Sequence, residues 1–211
     1  MDLYFSPLAC SMGTRIACYE TGADTRFIEV DPKTKRTRDG ADYRAINPLG
    51  LVPAIRTDDG KVMTENAAIL QYVADRFPNA QLAPAAGMGR SRLQQWLCFI
   101  GTELHKALFV PLLDPKAPDA GKAYARDQGA SRLAYLDRYL AGRDYLLDRF
   151  SVADAYLFTV LNWSTATAID LAHWPAVKDY YSRMRRRPSI AKALAEERAL
   201  YAEQQARHKA A

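Results

Sequence analysis

Cysteine is scarce in this chain, with 3 in 211 residues. An odd number of thiols, widely spaced and without a metal-like pairing, speaks against a disulfide framework and against a zinc site. Reduced thiols and no bound metal are expected. Long apolar runs are missing as well. No stretch approaches the roughly 18 consecutive apolar residues of a membrane span, and the opening MDLYFSP lacks the basic start and apolar core of a secretory signal. A cytoplasmic location with no membrane partner is expected. Neither charge sign dominates, the formal net charge being only +5. Its densest cationic group, Arg185 to Arg187, stands just before Pro188, where cations oppose the negative end of a helix. With no basic stripe interleaved with exposed aromatics, no nucleic-acid partner is expected. There is no internal repeat and no low-complexity tract. What remains is a 49% hydrophobic chain, enough for a full core in one large or two small domains.

The first 77 residues alternate strand and helix signals. Leu3 and Phe5 alternate with Asp2 and Tyr4 as a short strand that Pro7 stops. Ser11 is a plausible helix N-cap, with Ile16, Ala17 and Glu20 at helical spacing and Gly22 as the stop. RFIEVD (26–31) reads as a second strand, DYRAI (42–46) as a helical turn and VPAIRT (52–57) as a third strand. Asp59-Gly60 turns the chain into KVMT, and ENAAILQYVADRF closes the pattern as an amphipathic helix. The order β-α-β-α-β-β-α marks a small α/β domain over residues 1–77. Residues 78–89, rich in Pro, Ala and Gly, read as a linker, and residues 90–211 carry only helix signals, an all-helical second domain. Its long helices are expected from Arg90 to near Pro111, with apolar positions 93, 97, 100, 104 and 108, and over about 119–141, where Tyr124, Leu133, Leu136 and Leu140 repeat. Ser151 and Asp154 form a capping box before a buried helix, and the last dozen residues read as frayed.

Cys10 falls where the first strand hands over to the first helix, a position that stabilises the thiolate through helix amides and dipole. Residue 13 is Gly, so there is no CxxC pair. Cys18 and Cys98 lie inside helical stretches and read as small apolar residues. Pro53 at the start of a strand holds Val52 extended; a cis bond there would leave Val52 free to pair with an extended peptide. Thr64-Glu65-Asn66 opens a helix whose free amides suit a carboxylate, with Glu65 beside them for an amine. Lys35 sits in a charge run, KTKRTR, that is otherwise expected to be solvated. Cys98, Thr102 and His105 share one helix face by their spacing of four and three, and an imidazole there can support a thiolate or relay protons.

Taken in order, LYFSPLACS, the DPKTKRT loop, ADYRAINPLGLVPAI, DDGKVMTENAAILQYVAD, WLCFIGTELHKALF and FSVADAYLFTVLNW resemble the bacterial beta-class glutathione transferases over about residues 1–198. The resemblance implies a thioredoxin-like N-terminal domain that binds glutathione as co-substrate, an all-helical C-terminal domain that lends the acceptor pocket, and a homodimer. Cys10 matches the family cysteine that faces the glutathione sulfur and can form a mixed disulfide with it. Val52 before Pro53 matches the residue pairing with the cysteinyl backbone, Glu65 and Asn66 those holding the γ-glutamyl end, and Lys35 the lysine near the glycyl carboxylate. His105 matches a histidine near the thiol, with Thr102 on the same wall. The family often has Ser or Gly at Asn66, and Asn at Cys98, which replaces an amide poorly and predicts a weakened inner wall. The implied activity is conjugation of the glutathione thiol to small hydrophobic electrophiles, a detoxification chemistry, with Cys10, Ser11 and His105 as candidate activators and Phe109 and Trp163 lining the acceptor pocket. Tyr4 is a lesser candidate, since other classes of the family use an N-terminal tyrosine. The competing expectations are glutathione-dependent disulfide reduction and a non-catalytic binder of hydrophobic ligands.

Overall fold

A computed structural model describes residues 1–210. By internal contacts the chain divides into two compact units, one made of Met1–Leu82 together with the residues from Pro188 on, the other of Ala83–Arg187.

In the first unit, β1 (Asp2–Phe5), β2 (Arg26–Glu29), β3 (Ala54–Arg56) and β4 (Val62–Thr64) form a sheet in the order β2-β1-β3-β4. β1 pairs parallel with β2, Leu3 opposite Phe27, and antiparallel with β3, Leu3 opposite Ile55; β3 and β4 are antiparallel. Helices α1 (Ser11–Thr21) and α2 (Asn66–Arg76) pack on one another, with Ile16, Ile69, Leu70 and Val73 fully buried. Gly22 ends α1 at φ +66, its amide reaching Cys18 and Tyr19 carbonyls, as a glycine C-cap does. The predicted helical turn is a 3-10 turn over Tyr43–Ala45, started by the Asp42 side chain on the Arg44 amide. Tyr4 packs 5.5 Å from the Tyr43 ring and is 4% exposed. It is therefore a core residue.

The last helix, α8 (Pro188–Ala210), departs from the expected grouping of every helix after residue 90 in one domain, because it packs on α1 in the first unit. Nor do residues 200–210 of the last dozen fray, residue 211 lying outside the described residues. Gln204 and Arg207 reach Glu29, and His208 lies 2.6 Å from Asp31, so the final turns are tied to β2 and the loop after it.

In the second unit, α3 (Gly87–Phe99) runs without a break into a π-helical stretch (Ile100–Phe109) and then α4 (Val110–Leu113). The helix thus passes Pro111 where a stop was expected, since Pro111 falls in the first turn of α4, where a missing amide costs little. Gly87–Leu113 is long and apolar enough, by length and composition alone, to cross a membrane, against expectation. It packs against α5 (Asp119–Leu140) and α6 (Val152–Asn162). On α5 the buried positions are Ala125, Gly129, Leu133, Leu136 and Leu140. Tyr124, one residue out of phase with that stripe, is 69% exposed and leaves the expected core list. The capping box forms: the Ser151 amide donates to Asp154 at 2.9 Å, and α6 behind it is buried along its whole length. α7 (Pro175–Met184) completes the unit.

Candidate active site

Cys10 is the N-cap of α1, in the αR region, and the helix proper begins at Ser11. Its sulfur lies 3.2 Å from the Val52 carbonyl oxygen, so one short contact joins the thiol to the segment expected to pair with a peptide. The Val52–Pro53 bond is cis, and the β1–β3 register ends at Ala54, leaving Val52 outside the ladder. The approach to Val52 is pinned at Leu51, whose carbonyl accepts from the Tyr43 hydroxyl at 2.8 Å and from Asn47 Nδ2 at 2.7 Å. Tyr43 and Asn47 escape a reading of the sequence because nothing in their spacing points to the Leu51 carbonyl.

Lys35 stands apart from its charge run. It is half-buried while Lys33, Arg36 and Arg38 are exposed, its φ is +58, and its aliphatic stem lies where a Cβ on Gly50 would come within 3.1 Å of it. Glycine at position 50, itself at φ +61, thus lets the lysine lie along the loop leading to Val52. Glu65 is exposed and held at φ +69 immediately before α2, a strained setting of the kind that collects at ligand sites.

The Ser11 hydroxyl and the Asn66 Oδ1 are engaged within the chain. The Ser11 side chain is fully buried, its hydroxyl within 3.3 Å of both the Ser6 amide and carbonyl. It locks the strand-to-helix turn. Asn66 turns into the first unit, its Oδ1 accepting from the Thr14 hydroxyl at 2.9 Å, which ties α2 to α1. Its Nδ2 is buried without a partner, a donor left for something the chain itself does not supply. Burial pushes the Cys18 thiol up to about 11, in keeping with an inert packing residue.

In the second unit, Thr102 and His105 lie on the π-helical stretch and Cys98 on the last turn of α3. Cys98 and Thr102 are exposed, and the Thr102 hydroxyl donates back to the Cys98 carbonyl at 3.0 Å. His105 is half-buried, its Nδ1 sharing a 2.7 Å hydrogen bond with the Tyr156 hydroxyl, and its ring stands edge-on to Trp163 at 4.9 Å. Burial, aided by the Lys106 charge, brings the imidazole down to about 4, so it is neutral at physiological pH. Phe109 is fully enclosed and packs edge-on against Trp163, which is itself only 8% exposed. Tyr156, 51 residues from His105, is a partner that helical spacing does not reveal. No cluster of metal-ligating side chains occurs among the described residues.

Two family models match the chain: Glutathione S-transferase, N-terminal domain, over residues 9–76, and Glutathione S-transferase, C-terminal domain, over residues 102–188. The chain is 41% identical over 199 residues to Glutathione S-transferase GstA of Escherichia coli O157:H7, covering 93% of this chain and 98% of that one. Among solved structures it is similar to a ternary complex of BphK, a bacterial enzyme of this type, with a TM-score of 0.91, 45% identity and coverage of 93% and 99%. It is also similar to a sphingomonad glutathione S-transferase complexed with glutathione, with a TM-score of 0.89, 45% identity and coverage of 93% and 98%.

Proposed function

The chain belongs to the glutathione S-transferase family, and from that premise we propose that Cys10 faces the sulfur of glutathione while the enzyme transfers that thiol to small hydrophobic electrophiles. The observation that carries the reading is the 3.2 Å contact between the Cys10 sulfur and the Val52 carbonyl. A peptide paired along Val52 brings its own cysteine to Cys10. The other groups complement the rest of the tripeptide. Lys35 offers a cation to the glycyl carboxylate, Glu65 a counter-charge to the γ-glutamyl amine, and the start of α2, with the Asn66 donor, a cradle for the second carboxylate.

In the transfer, the glutathione sulfur loses its proton and attacks the electrophilic carbon, forming a C–S bond as the leaving group departs with the bonding electrons. His105 is a neutral hydrogen-bonding group and not a standing positive charge. The choice of cysteine over a hydroxyl at position 10 favours a second activity, in which the Cys10 thiolate attacks a mixed disulfide of glutathione and releases the other thiol. We assign the chain to a homodimer acting on cytoplasmic electrophiles in detoxification, on the strength of its family.

Assay with an aromatic halide and with a mixed disulfide separates the readings. Turnover of the halide supports the transferase, turnover of the mixed disulfide alone makes the reductase the principal activity, and binding of hydrophobic dyes without either leaves a carrier. Cys10→Ala is expected to abolish the disulfide reaction and to slow conjugation; full conjugation by that variant would remove Cys10 from the mechanism.

A further inference from the structure

Beyond its first residue, helix α8 lies outside both family models, the second of which ends at residue 188, yet it sends a buried acidic side chain to the segment that carries Cys10. Glu197 is fully buried, and its Oε2 accepts from the Leu8 amide at 2.7 Å across 189 residues of sequence. Its Oε1 lies 3.0 Å from Nε of Arg15. The Arg15 guanidinium is itself held 4.2 Å from the centroids of both the Phe5 and Phe27 rings. Burial pushes the Glu197 carboxyl up to about 8, with Arg15 and the Leu8 amide opposing the shift. A buried ion pair of this kind is a poor source of stability, since well-packed apolar residues of the same volume often serve as well or better. Its geometry offers another reason for its presence.

Pro7 and Leu8 occupy the middle of a turn closed by the Ala9 amide on the Ser6 carbonyl at 3.1 Å. Proline followed by a positive-φ residue is the pattern of a type II turn, whose third position is glycine's. Leucine stands there instead, at φ +61. The closing bond uses the Ala9 amide, so the Leu8 amide needs an acceptor from elsewhere, and Glu197 supplies it. Cys10 follows two residues later as the N-cap of α1.

We infer that Glu197 is a positioning residue for Cys10: it clamps the strained Leu8 turn from α8 and thereby sets where the sulfur stands. The inference rests on the reading that Cys10 faces glutathione. Glu197 acts through Leu8 and does not touch the tripeptide, and Arg15 fixes the carboxylate from its other side.

Amide exchange of the wild-type protein, followed by NMR, gives the first test. The Leu8 amide is expected to be protected to the same degree as the core amides of α1, and exchange at the rate of an exposed loop overturns the inference without any variant being made. The second test is the rate at which Cys10 forms a mixed disulfide with oxidised glutathione, at a temperature where circular dichroism shows each variant folded. Glu197→Gln is expected to slow it by about tenfold, and adding Leu8→Gly to that variant to restore it to within about twofold, because glycine takes the positive φ unaided. A wild-type rate in Glu197→Gln, or no recovery with Leu8→Gly, contradicts the clamp. Absence of the Cys10 adduct in the wild type would instead sink the reading of the site and leave the exchange result standing.

Discussion

In the first unit, Leu8, Lys35, Glu65 and Gln81 hold positive φ without being glycine, whereas the described residues of the second unit contain no such position. The second unit puts its irregularity into helix winding, in the π stretch of Ile100–Phe109 that carries Thr102 and His105. The first unit thus presents backbone atoms and short polar contacts at fixed, strained points, as recognition of a peptide requires. The second presents side chains from helices, a surface that can vary without disturbing the sheet. Backbone strain is thus a feature of the first unit and π-helical winding of the second.

The largest expected effect separates folding from function in the second unit. Asp154 is wholly buried and accepts from the Leu146 and Ser151 amides and from the Ser151 and Tyr180 hydroxyls at 2.8 to 2.9 Å. Asp154→Ala leaves those donors unpaired and should cost about 3–5 kcal/mol in denaturant unfolding; a loss of activity with unchanged stability would show a catalytic role instead. Next in size is Gly129→Ala on α5, whose new Cβ would stand 2.4 Å from Leu108 on the π stretch. It should cost about 1–3 kcal/mol, and an unchanged melting temperature would mean that α5 and the π stretch are not closely apposed. In the first unit the opposite pairing is expected. Glu65→Gly should relieve the strain at φ +69 and hold or raise the melting temperature, while raising KM for glutathione by about tenfold. A lower KM would remove Glu65 from the site.

His105 gives a smaller, pH-resolved contrast. Its folded pKa, about 4, lies below the ordinary 6.5, so folding favours the neutral ring. That contribution to stability is fully present above pH 6.5 and is lost as the pH falls through about 4. NMR titration of the ring should find its midpoint near 4; a midpoint near 6.5 would mean an imidazole open to water. The smallest effect belongs to Tyr124, at 69% exposure. Tyr124→Ser should leave both melting temperature and activity unchanged, and a measurable change in either would reveal a contact made outside this chain.

Much of this arrangement is legible in the sequence, for reasons that differ by element. The strands and α1, α2, α5 and α6 follow from short-range periodicity and from caps such as Gly22 and the Ser151–Asp154 box, which are local chemistry. Cys10, Val52 and Glu65 stand out because each sits where two elements join. The directions of Ser11 and Asn66 do not follow from their positions, because either side chain can serve a ligand or the backbone beside it. Packing decided that: Ser6 took the Ser11 hydroxyl and Thr14 the Asn66 Oδ1, which leaves the Asn66 Nδ2. The π stretch is hidden because its apolar spacing is still compatible with an ordinary helix. Tyr156 and Glu197 are hidden because their partners lie 51 and 189 residues away.

Mass spectrometry of the protein after incubation with oxidised glutathione tests most directly the claim that the turn at Cys10, the Val52 edge and the start of α2 form one seat for a thiol-bearing tripeptide. One glutathione adduct is expected, located on Cys10 by peptide mapping and absent from Cys10→Ala. An adduct on the exposed Cys98 with Cys10 unmodified would contradict the account.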